Sequence, residues 1–373
     1  MSERGPFAQF LRDVFNAGAA ARDVITSRVP RAPLGLVLYD GFGARGRILV
    51  HGRALRDEQL ATPNPDDPRW RNVVATVRRA DADPISHAAV RVQAGAATHD
   101  FVTDDEGFFH GWMAATKLQA SADWASITGE LLTPRPTAGA VRAEARVLYP
   151  PTDPGLLVLS DIDDTVLQSR ATNLLAALRM VLLENAHTRL PFPGVAAFYR
   201  ALRAGATGRE KNPTFYVSSS PWNLYDVITR FLEVQDIPHG PLMLRDVDIG
   251  LSALSGRGHH AHKREMIRHV LTAYPTSPAV LIGDSGQQDP EIYRDVVEEF
   301  SGRIRAVYIR DVSGQPDRSR AIQQLADEVL QSGSTLLLTP DTLAAASHAV
   351  ELGLISPDAL PEIGAEKKAD AKE

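Results

Sequence analysis

Three aspartates and a threonine, Asp161, Asp163, Asp164 and Thr165, follow directly on the apolar run Leu156 to Leu159 and Ser160 in the stretch LVLSDIDDTVLQS. Carboxylates this close repel one another, and burying them without partners is costly. The stretch therefore calls for water or a cation, and a divalent metal is the natural candidate.

In an open parallel sheet, ligands bind at the carboxyl ends of the strands, so the informative residues are those just past each expected strand. After the first come Asp161, Asp163 and Thr165. After the second come Ser218, Ser219 and Ser220, and after the fourth come Asp284 and, five positions on, Asp289. Lys263 is expected to open the helix before that fourth strand. Magnesium takes hard oxygen ligands, commonly one or two carboxylates plus substrate phosphate, and Asp161 with Asp284 would supply that pair. A carboxylate beside such an ion can attack phosphorus and divide a hydrolysis into two easier steps, a role that suits Asp161. Asp163, two positions on in extended geometry, points the same way and suits general acid and base work. Lys263 and the Ser218 hydroxyl would hold the transferring phosphoryl oxygens.

The elements that must position these residues are legible in the apolar pattern. Strands are expected at Leu156 to Ser160, Thr214 to Ser218, Leu242 to Leu244, Val280 to Gly283, Arg305 to Ile309 and Thr335 to Leu338, with helical stretches between them. That alternation predicts an α/β domain on a mainly parallel sheet, over residues 151–360. Before it, a proline-rich joint, YPPTDPG, marks a boundary. Residues 31–150 carry short β-rich runs, GLVLYDG, GRILVHGRAL, NVVATVRRA, AAVRVQAG, ATHDFVTDDEGFFHGWM and AVRAEARVLYP, which predict a β-sandwich. Residues 1–30 place Phe7, Phe10, Leu11, Val14, Ala21 and Ile25 at helical spacing, an amphipathic helix that either packs on the next domain or lies on lipid. Residues 361–373, charged and small, read as a disordered tail.

The motifs DIDDT, YVSSS, Lys263 in HKREMI, and GDSGQQD occur in the order, over roughly Leu156 to Tyr308, that resembles the haloacid dehalogenase superfamily of phosphatases. The finer wording, SDIDDTV with YVSSSPWNLYD, RLPFPGV and GDSGQQDPEIY, resembles the App1-type phosphatidate phosphatase catalytic domain, which is related to the lipins; lipins carry glycine where this chain has Asp164. The resemblance implies a Rossmann-like fold and Mg2+-dependent removal of phosphate from phosphatidic acid through an aspartyl-phosphate. It implies Asp161, Asp163, Ser218 and Lys263 as catalytic residues, with Asp161, Asp163, Asp284 and Asp289 around the metal. Thr165, Ser219, Trp222, Asn223 and Arg245 are expected to line the substrate. The short stretch Val166 to Asn212 leaves no room for a large lid, so the site should be open. Trp222 and Tyr225 either meet a lipid interface or pack in the core, and Arg245 either holds phosphate or forms a surface ion pair. The rival functions are hydrolysis of another phospholipid or a soluble phosphate ester, and a catalytically silent membrane-binding module.

Other motifs carry less. VTDDEGFF reads as a tight turn at Asp104, Asp105 and Gly107, with a calcium loop as the alternative. GRGHHAHK reads as a loop of solvated or phosphate-facing histidines, since magnesium disfavours them, with a zinc site as the alternative. GDSG resembles a protease nucleophile, but no β-barrel pattern surrounds it.

At 373 residues, 44% hydrophobic and 23% charged, the chain is expected to hold about two soluble domains. Its net charge of −6 argues against nucleic acid as a partner. The absence of cysteine excludes disulfides, thiolate zinc sites and cysteine nucleophiles, and fits a reducing compartment. No stretch approaches the about 20 apolar residues of a spanning helix, and the charged start MSERGPFAQFLRDVF does not read as a secretory leader. A cytoplasmic protein, in peripheral contact with the membrane surface, is the expectation.

Overall fold

The computed structural model describes residues 33–56, 83–121, 123–137, 139–150, 152–162, 193–245 and 256–370. The expected N-terminal helix, the run NVVATVRRA, and Asp163, Asp164 and Thr165 lie outside the described residues. The chain divides between Pro151 and Thr152 into two compact units.

In the first unit, β1 (Leu34–Ala44) and β2 (Arg47–Arg56) form a hairpin closed by Arg45 and Gly46, both at positive φ, the backbone that a two-residue hairpin turn requires. β3 (Asp83–Pro84), β4 (Ala89–Ala94), β5 (Ala97–Val102), β6 (Phe108–Ala114), β7 (Trp124–Thr133) and β8 (Arg142–Leu148) complete it. The described strands join in one eight-stranded sheet, β3-β2-β1-β8-β7-β4-β5 with β6 also on β2, rather than in two separate sheets. It is mixed: β1 and β8 pair in parallel and the other neighbours are antiparallel. The sheet curls until β6 meets β5, where Ala96 N donates to Thr116 O at 2.7 Å and the Phe101 and Phe109 rings lie 5.4 Å apart. Ile48, Val50, Val90, Val92, Ile127 and Val147 fill the enclosed core. The expected turn at Asp104 is present: its Oδ1 accepts from Glu106 N and Phe108 N, and Gly107 has φ 77°.

The second unit is α/β. Its six strands are β9 (Leu157–Asp161), β10 (Thr214–Pro221), β11 (Leu242–Arg245), β12 (Ala279–Asp284), β13 (Ile304–Arg310) and β14 (Leu336–Thr339). All neighbours pair in parallel, in the order β11-β10-β9-β12-β13-β14. Every residue of β9 and β12 is buried, as central strands covered on both faces must be. Among the described residues seven helices surround them: α1 (Val195–Ala204), α2 (Tyr225–Val234), α3 (Gly256–Ala273), α4 (Asp289–Glu299), α5 (Pro316–Gln331), α6 (Thr342–Glu351) and α7 (Leu360–Asp370). None of them is long and apolar enough to cross a membrane.

Helix α7 corrects the expected disordered tail over residues 361–370. Ile363 is buried, Glu366 accepts from Ala197 N and Arg200, and Lys367 reaches Asp341 at 2.6 Å. One apolar anchor and paired charges order a segment whose composition alone reads as solvated. Helix α3 corrects a second expectation, because Lys263 lies in its interior and the histidine-rich stretch belongs to it rather than to a loop.

Candidate active site

The strand order reverses between β9 and β12, and the carboxyl ends of the strands at such a reversal are where open parallel sheets bind ligands. Each strand ends there on a buried aspartate, Asp161 and Asp284. From α3, Lys263 enters the same place with 2% exposure. Its Nζ stands 2.7 Å from Asp161 Oδ1, 2.8 Å from Asp289 Oδ1 and 3.2 Å from Gln287 Oε1.

Asp289 opens α4, where a carboxylate suits the helix N-terminus. Its Oδ2 accepts from Asp284 N at 3.2 Å while its Oδ1 takes the lysine, so both oxygens have partners within the protein. This approach needs the glycine before Asp284. A Cβ on Gly283 would lie 2.5 Å from Asp289 Oδ2 and 2.8 Å from Tyr293 Cε2.

The donor set fits a divalent cation. Oxygens of Asp161, Asp284 and Asp289 lie within 4.8 Å of one another, and all three side chains and Lys263 are buried. Three carboxylates gather around one ammonium, and a cation among them would offset their mutual repulsion. Hard carboxylate oxygens suit magnesium and exclude a preference for soft metals. The described histidines are not part of this group.

The serine motif runs beside it. β10 pairs with β9 in register Val217↔Asp161, so Ser218 lies one residue beyond the level of Asp161 on the adjacent strand. It is fully buried, and its Oγ accepts from Ser220 N at 2.9 Å. Ser219 follows, half-buried. A single 3-10 turn, Trp222–Leu224, then leads into α2. Trp222 is 6% exposed and stacks on Tyr225 at 5.9 Å, so its ring is mostly enclosed by protein. Asn223 sits in that turn. Arg245 ends β11 opposite Pro221, half-buried. Asp161, Asp284, Asp289, Lys263 and Ser218 thus gather at one end of the sheet.

Several residues around this group carry no sequence motif. Arg318 on α5 donates from Nε to Ser285 O at 3.0 Å and from Nη2 to Gln287 O at 2.6 Å, and it grips both carboxylate oxygens of Glu291. Ser285 Oγ accepts from Val312 N and Ser313 N and donates to Asp311. Asp284 Oδ1 accepts from Gly286 N at 2.6 Å and Gln287 N at 3.1 Å. The turn after Asp284 is therefore clamped from both sides. Burial opposes ionisation of Glu291, yet the Arg318 bonds outweigh it and hold the carboxyl below its ordinary range. Arg310, the register partner of Asp284, bonds Thr342 Oγ1, and burial pushes its guanidinium down to about 9, still protonated at neutral pH. A spacing rule could not find Arg318, since its partners lie 27 to 33 positions away.

Residues 156–311 match the sequence model of the family described as "Phosphatidate phosphatase APP1, catalytic domain", so the resemblance drawn from the motifs holds over that segment. The chain is 29% identical over 203 residues to "Uncharacterized protein C29B5.04c" of Schizosaccharomyces pombe, covering 50% of this chain and 31% of that protein. It is 25% identical over 182 residues to "Phosphatidate phosphatase APP1" of Saccharomyces cerevisiae, covering 48% and 30%. The chain thus spans about a third of the length of these relatives. Among solved structures, a PilB minor pilin from Streptococcus sanguinis aligns at TM-score 0.27 and 10% identity, covering 76% of this chain and 87% of the pilin. A carbohydrate acetylesterase from Xanthomonas citri aligns at 0.23 and 12%, covering 79% and 72%. Overlaps that slight carry no argument about function.

Proposed function

We propose that the second unit is a haloacid dehalogenase-type phosphatase that hydrolyses phosphatidic acid to diacylglycerol and phosphate, with Asp161 as nucleophile and Mg2+ as cofactor. The observation that carries the reading is the buried group of Asp161, Asp284, Asp289 and Lys263 at the strand-order reversal of a parallel sheet. The family match over residues 156–311 supports the substrate class.

In this reading an oxygen of Asp161 attacks phosphorus, and the bond from phosphorus to the glycerol oxygen breaks. Asp163, by resemblance to the family, gives that oxygen its proton. The carboxylate so formed takes a proton from water, whose oxygen attacks the phosphorus of the aspartyl-phosphate and frees Asp161 and phosphate. Asp161 and Asp284, with Asp163 by resemblance, would hold Mg2+, which when bound neutralises carboxylate and phosphoryl charge. Asp289, with both oxygens engaged, fixes Lys263 and the end of β12. Lys263 steadies Asp161 and stands ready to hold phosphoryl oxygens, as does the Ser218 hydroxyl. Thr165, Ser219, Asn223 and Arg245 are assigned to the substrate by resemblance. Phosphatidate keeps its acyl chains in a bilayer, so the reading entails peripheral contact with a membrane surface.

The test is phosphate release from phosphatidic acid in mixed micelles, beside a panel of soluble phosphate esters, with and without magnesium. Magnesium-dependent release selective for phosphatidate supports the reading. Release from soluble esters alone keeps the chemistry and removes the lipid, and silence throughout removes both.

A further inference from the structure

The amino end of the same sheet carries a concavity. Helix α1 ends at Ala204, and the turn 205–213 leads into β10 at Thr214, so this turn lies at the opposite end of the strands from Asp161 and Asp284. There a cavity of about 380 Å³ is lined by Arg200, Arg203, Ala204, Gly208, Arg209 and Lys211. Four of those six residues are cationic, in a chain whose net charge is −6.

Arg200 is neutralised by Asp236, Glu362 and Glu366. Among the described residues, no carboxylate lies within ion-pair distance of Arg203, Arg209 or Lys211. The acidic residue of the turn, Glu210, is directed to backbone instead, accepting from Thr207 N at 2.8 Å and Arg209 N at 3.1 Å. Capping of α1 does not account for the cations either. The carbonyls of Ala201, Leu202, Arg203 and Ala204 are already taken by Gly205 N, Asn212 Nδ2, Asn212 N and Glu210 N. The turn is also set in an uncommon backbone, with Gly205, Gly208 and Lys211 all at positive φ. For lysine that conformation is disfavoured, and here it belongs to a turn held by side-chain and backbone bonds.

We propose that this cavity binds a multivalent phosphate anion, distinct from the substrate of the carboxylate site. Arg203 near the end of α1 and Arg209 and Lys211 on the turn, none of them in an ion pair among the described residues, match two or more phosphate groups held close together, because arginine takes phosphate oxygens in pairs. The volume suits a small phosphorylated molecule. The anion is free in solution or is a multiply phosphorylated lipid headgroup. On the proposed function, the position at the far end of the sheet favours the free form, since a bilayer seated there would not face Asp161 and Asp284.

Inorganic tripolyphosphate titrated calorimetrically into the full chain, without magnesium and at about 50 mM salt, tests the proposal. Saturable one-site binding is expected, weakened about tenfold or more in Arg203→Gln/Arg209→Gln/Lys211→Gln, in line with the loss of charge-assisted bonds. It should be unchanged in Asp161→Asn and in the control Lys117→Gln/Arg135→Gln/Arg305→Gln, three exposed cations elsewhere. Absence of binding to the wild type, or equal weakening in the control, overturns the proposal, as does loss of binding in Asp161→Asn. If the triple variant melts abnormally, Arg209→Gln alone, an exposed residue, serves in its place. Co-sedimentation with phosphatidylcholine vesicles containing phosphatidylinositol bisphosphate distinguishes the source. Retention that depends on the same three residues assigns a headgroup, and tripolyphosphate binding without retention assigns a free anion.

Discussion

Lys263 Nζ lies 2.7 Å from Asp161 Oδ1, an ion pair in which neither side chain is more than 3% exposed. The same ammonium holds Asp289 Oδ1 at 2.8 Å, so one cation separates two of the three buried carboxylates. Removing it leaves two buried carboxylates without the ammonium that both engage. Lys263→Met should therefore lower folding stability by about 3 to 5 kcal/mol, the cost of stranding a buried charge. Urea titration with and without magnesium checks this, and part of the loss should return when the cation is present. A variant as stable as wild type in metal-free buffer would contradict the pairing.

Asp284 has two duties. Its Oδ1 accepts from Gly286 and Gln287 amides, while its charge belongs to the group suited to magnesium. Asp284→Asn keeps an acceptor oxygen for those amides and removes the charge. Calorimetric titration with Mg2+ should show affinity reduced about tenfold or more at nearly unchanged melting temperature, because carboxylate charge dominates magnesium binding. Unaltered affinity would remove Asp284 from the ligand set.

Gly283 is required by crowding, since a Cβ there meets Asp289 and Tyr293 well inside contact distance. Gly283→Ala should cost about 1 to 3 kcal/mol, the range of overpacked cores, and should weaken magnesium binding by shifting the end of β12 that Asp289 fixes and that carries Asp284. Equal stability in urea would show that the strand end can yield.

The six parallel strands are legible because each is a short apolar run closed by polar residues, and four of the five residues gathered at the site, Asp161, Ser218, Asp284 and Asp289, follow from asking what stands just past those runs. In the first unit, β7 is missing from the expected β-rich runs. Its inward positions are Ala125, Ile127, Gly129 and Leu131, and alanine and glycine leave a faint hydrophobic period. Glycine and histidine are weak helix formers and hide the start of α3 ahead of Lys263, yet packing of Ile267, Val270 and Leu271 into the core carries the helix back to Gly256. Arg318 was invisible for a different reason. Its partners are two carbonyls and one carboxylate, and backbone acceptors leave no mark in a sequence.

That arginine gives a prediction about pH. With Arg318 bound, Glu291 has a folded pKa below its unfolded value. The stabilisation is therefore complete above the unfolded value of about 4.3 and is lost as pH falls through the folded one. Glu291→Gln should be less stable than wild type at neutral pH, and the difference should close in acid. Thermal melts across that range decide it, and a gap that persists well below the folded pKa would mean that the pair is not the source.

Whether Asp161 itself carries phosphate in the catalytic cycle is the central claim, and it can be observed without inference from rates. Phosphatidic acid labelled in its phosphate is mixed with the protein and magnesium, quenched in acid within a turnover, and the peptides are read by mass spectrometry. The account predicts a phosphate adduct on Asp161, absent from Asp161→Asn, which keeps its fold and releases no phosphate. Phosphate release without an adduct, an adduct on a different residue, or turnover by folded Asp161→Asn would contradict it.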